Sequence, residues 1–138
     1  MAKGILRGKS LSLVIVKRGK PIFESHSSGI GGLLQAMNDL GNVLSGASVA
    51  DRVVGRAAGL LLTCSHTKEI YAATISKEGL KVLEENGIPV EYDNFVPKIL
   101  DKEGRNICPF ERFSLAIKSP NEAYKKLKSF ADNLTKQR

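Results

Sequence analysis

Between residues 49 and 92 the apolar pattern switches repeatedly between helix and strand spacing, and this switching narrows the possible folds more than any other feature. Val49 to Thr63 reads as a helix. Ser48 is a good N-cap, and Asp51 stands three residues on, in a capping box where Asp replaces the usual Glu. Within that helix Gly55, Ala57, Ala58 and Gly59 form a stretch nearly free of side chains, suited to lying close against a sheet or another helix. Glu69 to Ile75 reads as a buried strand. Ser76 then caps a second helix whose last turn is Glu84-Glu85-Asn86, with Gly87 in the left-handed closing position. Ile88 to Tyr92 returns as a strand. Alternation of this kind predicts βαβ packing with a largely parallel section of sheet.

The flanks add a hairpin and further helices. Residues 11–17 are β-branched and apolar, Arg18-Gly19-Lys20 supplies a turn, and Pro21 to Ser25 returns with proline at an acceptable first position. A helix starts at Gly31 and Gly41 stops it. Phe95 to Leu100 reads as a short strand or an extended arm, and Pro109 to Ile117 as a short helix with proline at N1. Ser119-Pro120-Asn121-Glu122 has the form of a capping box opening a helix to about Leu134, with Tyr124, Leu127, Phe130 or Ala131, and Leu134 as its apolar stripe. No repeat or long linker divides the 138 residues, so one domain over 1–138 with three layers is expected.

Composition excludes several classes. With 42% hydrophobic and 25% charged residues the chain has the make-up of a folded protein rather than a disordered one. Its longest nearly apolar run, Ala57 to Cys64, falls far short of the roughly 20 residues of a membrane helix. The basic N-terminus is not followed by an apolar core and cleavage site, so no secretory signal is expected. A cytoplasmic protein without membrane attachment is the resulting expectation. Charge is uneven: residues 1–20 hold six bases and no acid, 118–138 hold six bases against two acids, and the rest hold nine against twelve. Basic ends around a slightly acidic centre suit an anionic partner such as a nucleotide or a nucleic acid, and equally serve as a solvated surface.

Cys64, His66, His26 and Cys108 are the available soft ligands. They lack the paired spacing of a zinc site, so no metal and no cofactor are expected, and Cys64 reads as a small buried apolar residue. Cys108 precedes Pro109 at a helix start, where the positive end of the helix dipole favours a thiolate and makes it a candidate nucleophile. Glu111, three residues on, would oppose that ionisation if it points the same way, or it caps the first turn. Ser27-Ser28-Gly29-Ile30-Gly31-Gly32 joins a strand to a helix, and such a junction can hold an anion on its amides. It matches neither a P-loop nor a dinucleotide fingerprint. Asp51, Arg52, Arg56 and Ser76 form a constellation in which Asp51 and Ser76 are expected at helix starts over the carboxyl ends of the strands, where ligands of open α/β sheets bind. The plainer roles are a capping carboxylate for Asp51 and a solvated helix face for the two arginines.

Three stretches carry a resemblance: Ser28-Gly29-Ile30, the run from Asp51 to Ala58, and Cys108-Pro109-Phe110-Glu111. Together with the strand–helix–strand from Ile70 to Tyr92 and Val96-Pro97, they resemble an uncharacterised family of conserved hypothetical proteins with a cytidine-deaminase-like fold, over about residues 8–125. The resemblance implies an α/β, three-layer α-β-α sandwich with a mixed sheet of about five strands. Zinc deaminases of that fold use a His or Cys at one helix start and Pro-Cys-x-x-Cys at the next, beside a Glu. This sequence offers Asp51 to Gly55 at the first place and Thr74-Ile75-Ser76-Lys77-Glu78 at the second, so zinc-dependent deamination is expected to be absent.

What the resemblance leaves is a crevice for a nucleotide-type small molecule, with Ser28, Gly29, Asp51, Gly55, Ser76 and Glu111 as binding residues. Two other readings stand beside it: an enzyme of another class using Asp51 or Cys108 as base or nucleophile, and an RNA-binding protein acting through its basic termini. Folds of this type often associate through helix faces, so a homo-oligomer is also expected.

Overall fold

The computed structural model describes residues 1–27 and 29–136. It opens with α1 (Ala2–Lys9), a hairpin of β1 (Leu13–Lys17) and β2 (Lys20–Ser25), and α2 (Gly31–Leu40), which runs into a 3-10 turn at Gly41–Leu44. Next come β3 (Ser48–Val54), α3 (Arg56–Cys64), β4 (Glu69–Ser76), α4 (Lys77–Glu85) and β5 (Val90–Val96). The chain ends with α5 (Pro109–Ser114), a 3-10 turn at Pro120–Glu122 and α6 (Ala123–Lys136).

The five strands lie in the order β2-β1-β3-β4-β5, with β3, β4 and β5 parallel and β1 antiparallel to both of its neighbours. Helix α1 covers one face, burying Leu6 and Ala2 against Val14, Val16, Ala50 and Tyr71. The other face carries α2, α3, α4 and α6, whose Leu33, Leu61, Val82 and Leu127 join Ile15, Val49 and Ile75 in the larger core. The mixed five-strand, three-layer α/β architecture is therefore as expected.

The expected helix over Val49–Thr63 is instead a central strand and a shorter helix. Residues 48–54 are β3: Val49, Ala50 and Val54 are all buried, which a strand enclosed by layers on both sides allows. Gly55 ends the strand and α3 starts one residue later. The capping box at Ser48 does not form, because the Ser48 hydroxyl donates to Glu69 at 2.8 Å and Asp51 sits within the strand. Helix α1 was not anticipated. The strand expected at Ile88–Tyr92 begins two residues later, after Pro89, and continues to Val96. No side-chain cap forms at Ser119, where the Glu122 amide donates to the Ser119 carbonyl in a 3-10 turn.

One irregularity shapes the end of the sheet. Val49 and Val54 feed the same core cluster, as do Ala72 and Ile75, yet each pair is an odd number of residues apart. Alternating side chains cannot do this on a regular strand. The change of face coincides with Arg52 and Ala73, which fall outside the regular pairing of β3 with β4. It leaves Arg52 and Val53 exposed at the end of the central strand.

Candidate functional site

The carboxyl ends of β3 and β4 lead into helices through a small-residue step. Gly55 is the N-cap of α3 and Ser76 that of α4, where its buried Oγ accepts the Gly79 amide at 3.0 Å. A Cβ on Gly79 would meet the carbonyl oxygens of Val54 and Gly55 at 2.8 and 2.9 Å, and one on Gly59 would meet the Gly79 carbonyl at 3.3 Å. Glycine therefore lets α3 and α4 cross close together over the end of β3. A glycine inside the first turn of a helix is itself a sequence signal for such an approach, and it passed unused at Gly79.

Glu111 reaches this step from α5. Its Oε1 accepts the Arg56 amide at 2.6 Å and its Oε2 the Ala57 amide at 2.8 Å, so one carboxylate caps the N-terminus of α3. It occupies the space where a Gly55 side chain would be, since a Cβ there would lie 2.0 Å from Oε1. Burial pushes the Glu111 carboxyl above its ordinary pKa, opposed by the two amides and by the Arg56 charge. Arg56 answers from the other side. Its guanidinium donates to the carbonyls of Ser114, the last residue of α5, at 3.1 Å and of Ile117, just beyond it, at 2.8 Å. The two residues form a reciprocal clasp between α3 and α5. Arg56 is thus an internal strut and not the solvated residue that spacing suggests. Arg52 donates through Nε and Nη2 to the Leu11 carbonyl.

Asp51 lies away from this step. It is three residues before Val54, or about 10 Å back along the strand. Register places it in one row across the sheet with Ser25, Leu13, Ala72 and Tyr92. Helix α2 begins against that row, for a Cβ on Gly32 would stand 2.8 Å from Ser25 Oγ and 3.6 Å from Leu13 Cδ2. Asp51 is 8% exposed. Desolvation lifts its carboxyl from 3.8 to about 7, against a smaller opposing effect of the Val53 and Arg52 amides.

The structure thus brings Gly55, Ser76 and Glu111 together at one step and sets Asp51 at the α2 side. Gly29 stands in the exposed turn before α2, with φ of 72°, and Ser28 lies outside the described residues. Cys108 is the half-buried N-cap of α5 ahead of Pro109, and Glu111 points away from it toward α3. The starts of α2, α3 and α4 (residues 30–35, 55–60 and 76–81) contain no Cys or His. Cys64 is the last residue of α3, at the helix end opposite its capped start. Among the described residues no group of three His, Cys, Asp or Glu could hold a metal ion, so this donor set does not fit the zinc of deaminases. Of the six N-terminal bases, Lys3 pairs with Glu91, Lys9 with Glu24, and Lys17 donates to the Val43 carbonyl. No described helix is long and apolar enough to cross a membrane.

Comparison with known proteins agrees with this architecture. The family described as TM1506, domain of unknown function (DUF1893), matches residues 1–131. The crystal structure of a DUF1893 family protein (TM1506) from Thermotoga maritima is similar at a TM-score of 0.83 and 36% identity, covering 91% of this chain and 84% of that one. Acinetobacter baumannii RibD, form 1, is similar at a TM-score of 0.51 and 20% identity over 59% of this chain and 28% of that one, a likeness of fold alone. The fold is deaminase-like. No curated protein matches the sequence.

Proposed function

The chain belongs to the DUF1893 family, and from that premise we propose that it binds a nucleotide-type small molecule over the α2 side of the crevice, with Asp51 as the recognition group. The observation that carries this reading is the burial of Asp51 between Leu13 and Ala72 in the sheet. A desolvated carboxyl there costs stability even with the Val53 and Arg52 amides beside it, and strongly shifted buried acids concentrate at functional sites. A carboxyl poised near neutrality can accept a hydrogen bond from an exocyclic amine or donate one to a ring nitrogen. Gly29, in the turn before α2, supplies the near wall.

The rim at Gly55, Ser76 and Glu111 plays a supporting part. Glu111 already holds the α3 amides, so an anionic group would first have to displace it. Recognition through base or ribose therefore fits the crevice better than recognition through phosphate. Should a bound molecule react, the same carboxyl suits proton transfer, because a general acid–base works best with its pKa near the working pH.

Isothermal titration with cytidine, adenosine and their 5′-monophosphates tests the proposal, comparing the parent with Asp51→Asn at pH 6 and pH 8. At least one compound is expected to bind saturably, with affinity falling about ten-fold or more in the variant, as for loss of one buried charged hydrogen bond. Equal affinity in both proteins, or no binding by any of the four, refutes the assignment. Native mass spectrometry of the purified protein provides an independent check: a nucleotide-sized extra mass supports the crevice.

A further inference from the structure

A concavity lined by none of the candidate site residues lies between the segment after β5 and the α5–α6 pair. It is an open concavity of about 670 Å³, and its wall includes Asp101, Asn106, Ile107, Arg112, Phe113 and Phe130. That volume falls within the range of small-molecule sites, which combine apolar walls with a few polar groups. The apolar wall is aromatic. Phe113 and Phe130 stack with ring centroids 4.4 Å apart at 17°, and Phe110 meets Phe130 edge-on at 5.3 Å. Phe113 and Phe130 are only partly buried, so rings already held in a stack border the open space.

The polar groups are not equally available. Asp101 Oδ1 accepts the amides of Glu103 and Arg105, each at 3.2 Å, so one oxygen of this carboxylate is held in its own turn. Glu111, adjacent to Arg112 in sequence, faces the opposite way and caps α3. Arg112 is exposed, and its guanidinium makes no hydrogen bond or ion pair among the described residues. A free, planar cation beside a stacked aromatic wall is suited to a flat ring that carries an anion: the ring extends the stack and the anion takes the guanidinium fork.

We infer that this cavity is a binding site, separate from Asp51, for a small planar aromatic molecule bearing a phosphate or a carboxylate. Asn106 offers an amide for one further hydrogen bond at the rim.

The test is isothermal titration of the full chain with 1-naphthyl phosphate, 1-naphthoate and 1-naphthol, on the parent, Arg112→Gln, Phe113→Leu and Asp51→Asn. At least one of the two anions is expected to bind saturably and about ten-fold or more tighter than the neutral naphthol, and the tighter of the two identifies the anion. Arg112→Gln, at an exposed position that leaves the fold intact, should remove that preference and leave the naphthol affinity unchanged. Phe113→Leu should weaken all ligands that bind. Asp51→Asn should change none of these affinities. Absence of saturable binding by both anions, a naphthol affinity equal to theirs, or an Arg112→Gln variant that binds like the parent overturns the inference. So does a loss of binding in Asp51→Asn, which would place the ligand in the crevice.

Discussion

Replacing Asp51 by Asn should make the protein more stable, and the gain should depend on pH in a defined way. Burial raises the folded-state carboxyl pKa to about 7 from 3.8. The folded protein therefore holds the Asp51 proton more tightly than the unfolded chain does. The stability associated with that proton is fully present below pH 3.8, is lost as pH rises toward 7, and changes no further above 7. Asparagine does not titrate. Across this window the stability of Asp51→Asn relative to the parent should climb by about 1.4 kcal/mol per pH unit, the free energy of one pKa unit. Between pH 5 and pH 8 the climb amounts to about 3 kcal/mol, or about 8 °C in melting temperature for a chain of this size. Taking the difference between two proteins that share every other titrating group cancels their contributions. Urea unfolding of both proteins at pH 5, 6, 7 and 8 measures it. Parallel stability–pH curves would show that Asp51 titrates alike in folded and unfolded states, and the argument for a destabilising buried acid would fail.

Three other substitutions probe the helix starts. Gly55→Ala places a methyl 2.0 Å from Glu111 Oε1, so the carboxylate must leave its two amides. The expected loss is about 2 kcal/mol by urea midpoint, and adding Glu111→Ala should cost little more, because both changes break the same contact. Ser76→Ala removes the cap accepting the Gly79 amide and should cost about 1 kcal/mol, with faster hydrogen exchange at Gly79 as its local signature. Gly79→Ala should lower the melting temperature despite the better helix propensity of alanine, because its Cβ would press on the backbone carbonyls of Val54 and Gly55 at 2.8 and 2.9 Å. A melting temperature at or above the parent value would refute that packing.

Local chemistry made much of the fold legible. The hairpin, α2 and α4 follow from turn and cap residues that act within a few positions, such as Gly41 after α2 and Ser76 before α4. The misreading of residues 49–54 has a physical source. A central strand buried on both faces loses clean alternation, and the change of face near Arg52 removes what remains, while Ser48 and Asp51 imitate a helix start. Helix α1 has Gly4 and Gly8 in its eight residues and depends on packing Leu6 against the sheet, so propensity says little about it. Asp51 was singled out as a helix-start carboxylate, whereas its chemistry comes from burial within a strand. The partnership of Arg56 with Glu111 had no local signal, because it joins residues 55 positions apart.

That separation bears on how the molecule is assembled. The start of α3 is finished by a residue that leaves the ribosome long after α3 itself, and the carbonyls held by Arg56 come later still, up to 61 positions downstream. At a synthesis rate of about 5–20 residues per second, the first turn of α3 waits seconds for its cap. During that interval the Arg56 and Ala57 amides lack the carboxylate that accepts them in the finished fold. Ordering of α5 closes both ends of the contact at once, so the last third of the chain completes the first two-thirds as well as joining them. A chain cut short before Glu111 would keep the sequence of all five strands and lack both the carboxylate at the start of α3 and the carbonyls that hold Arg56.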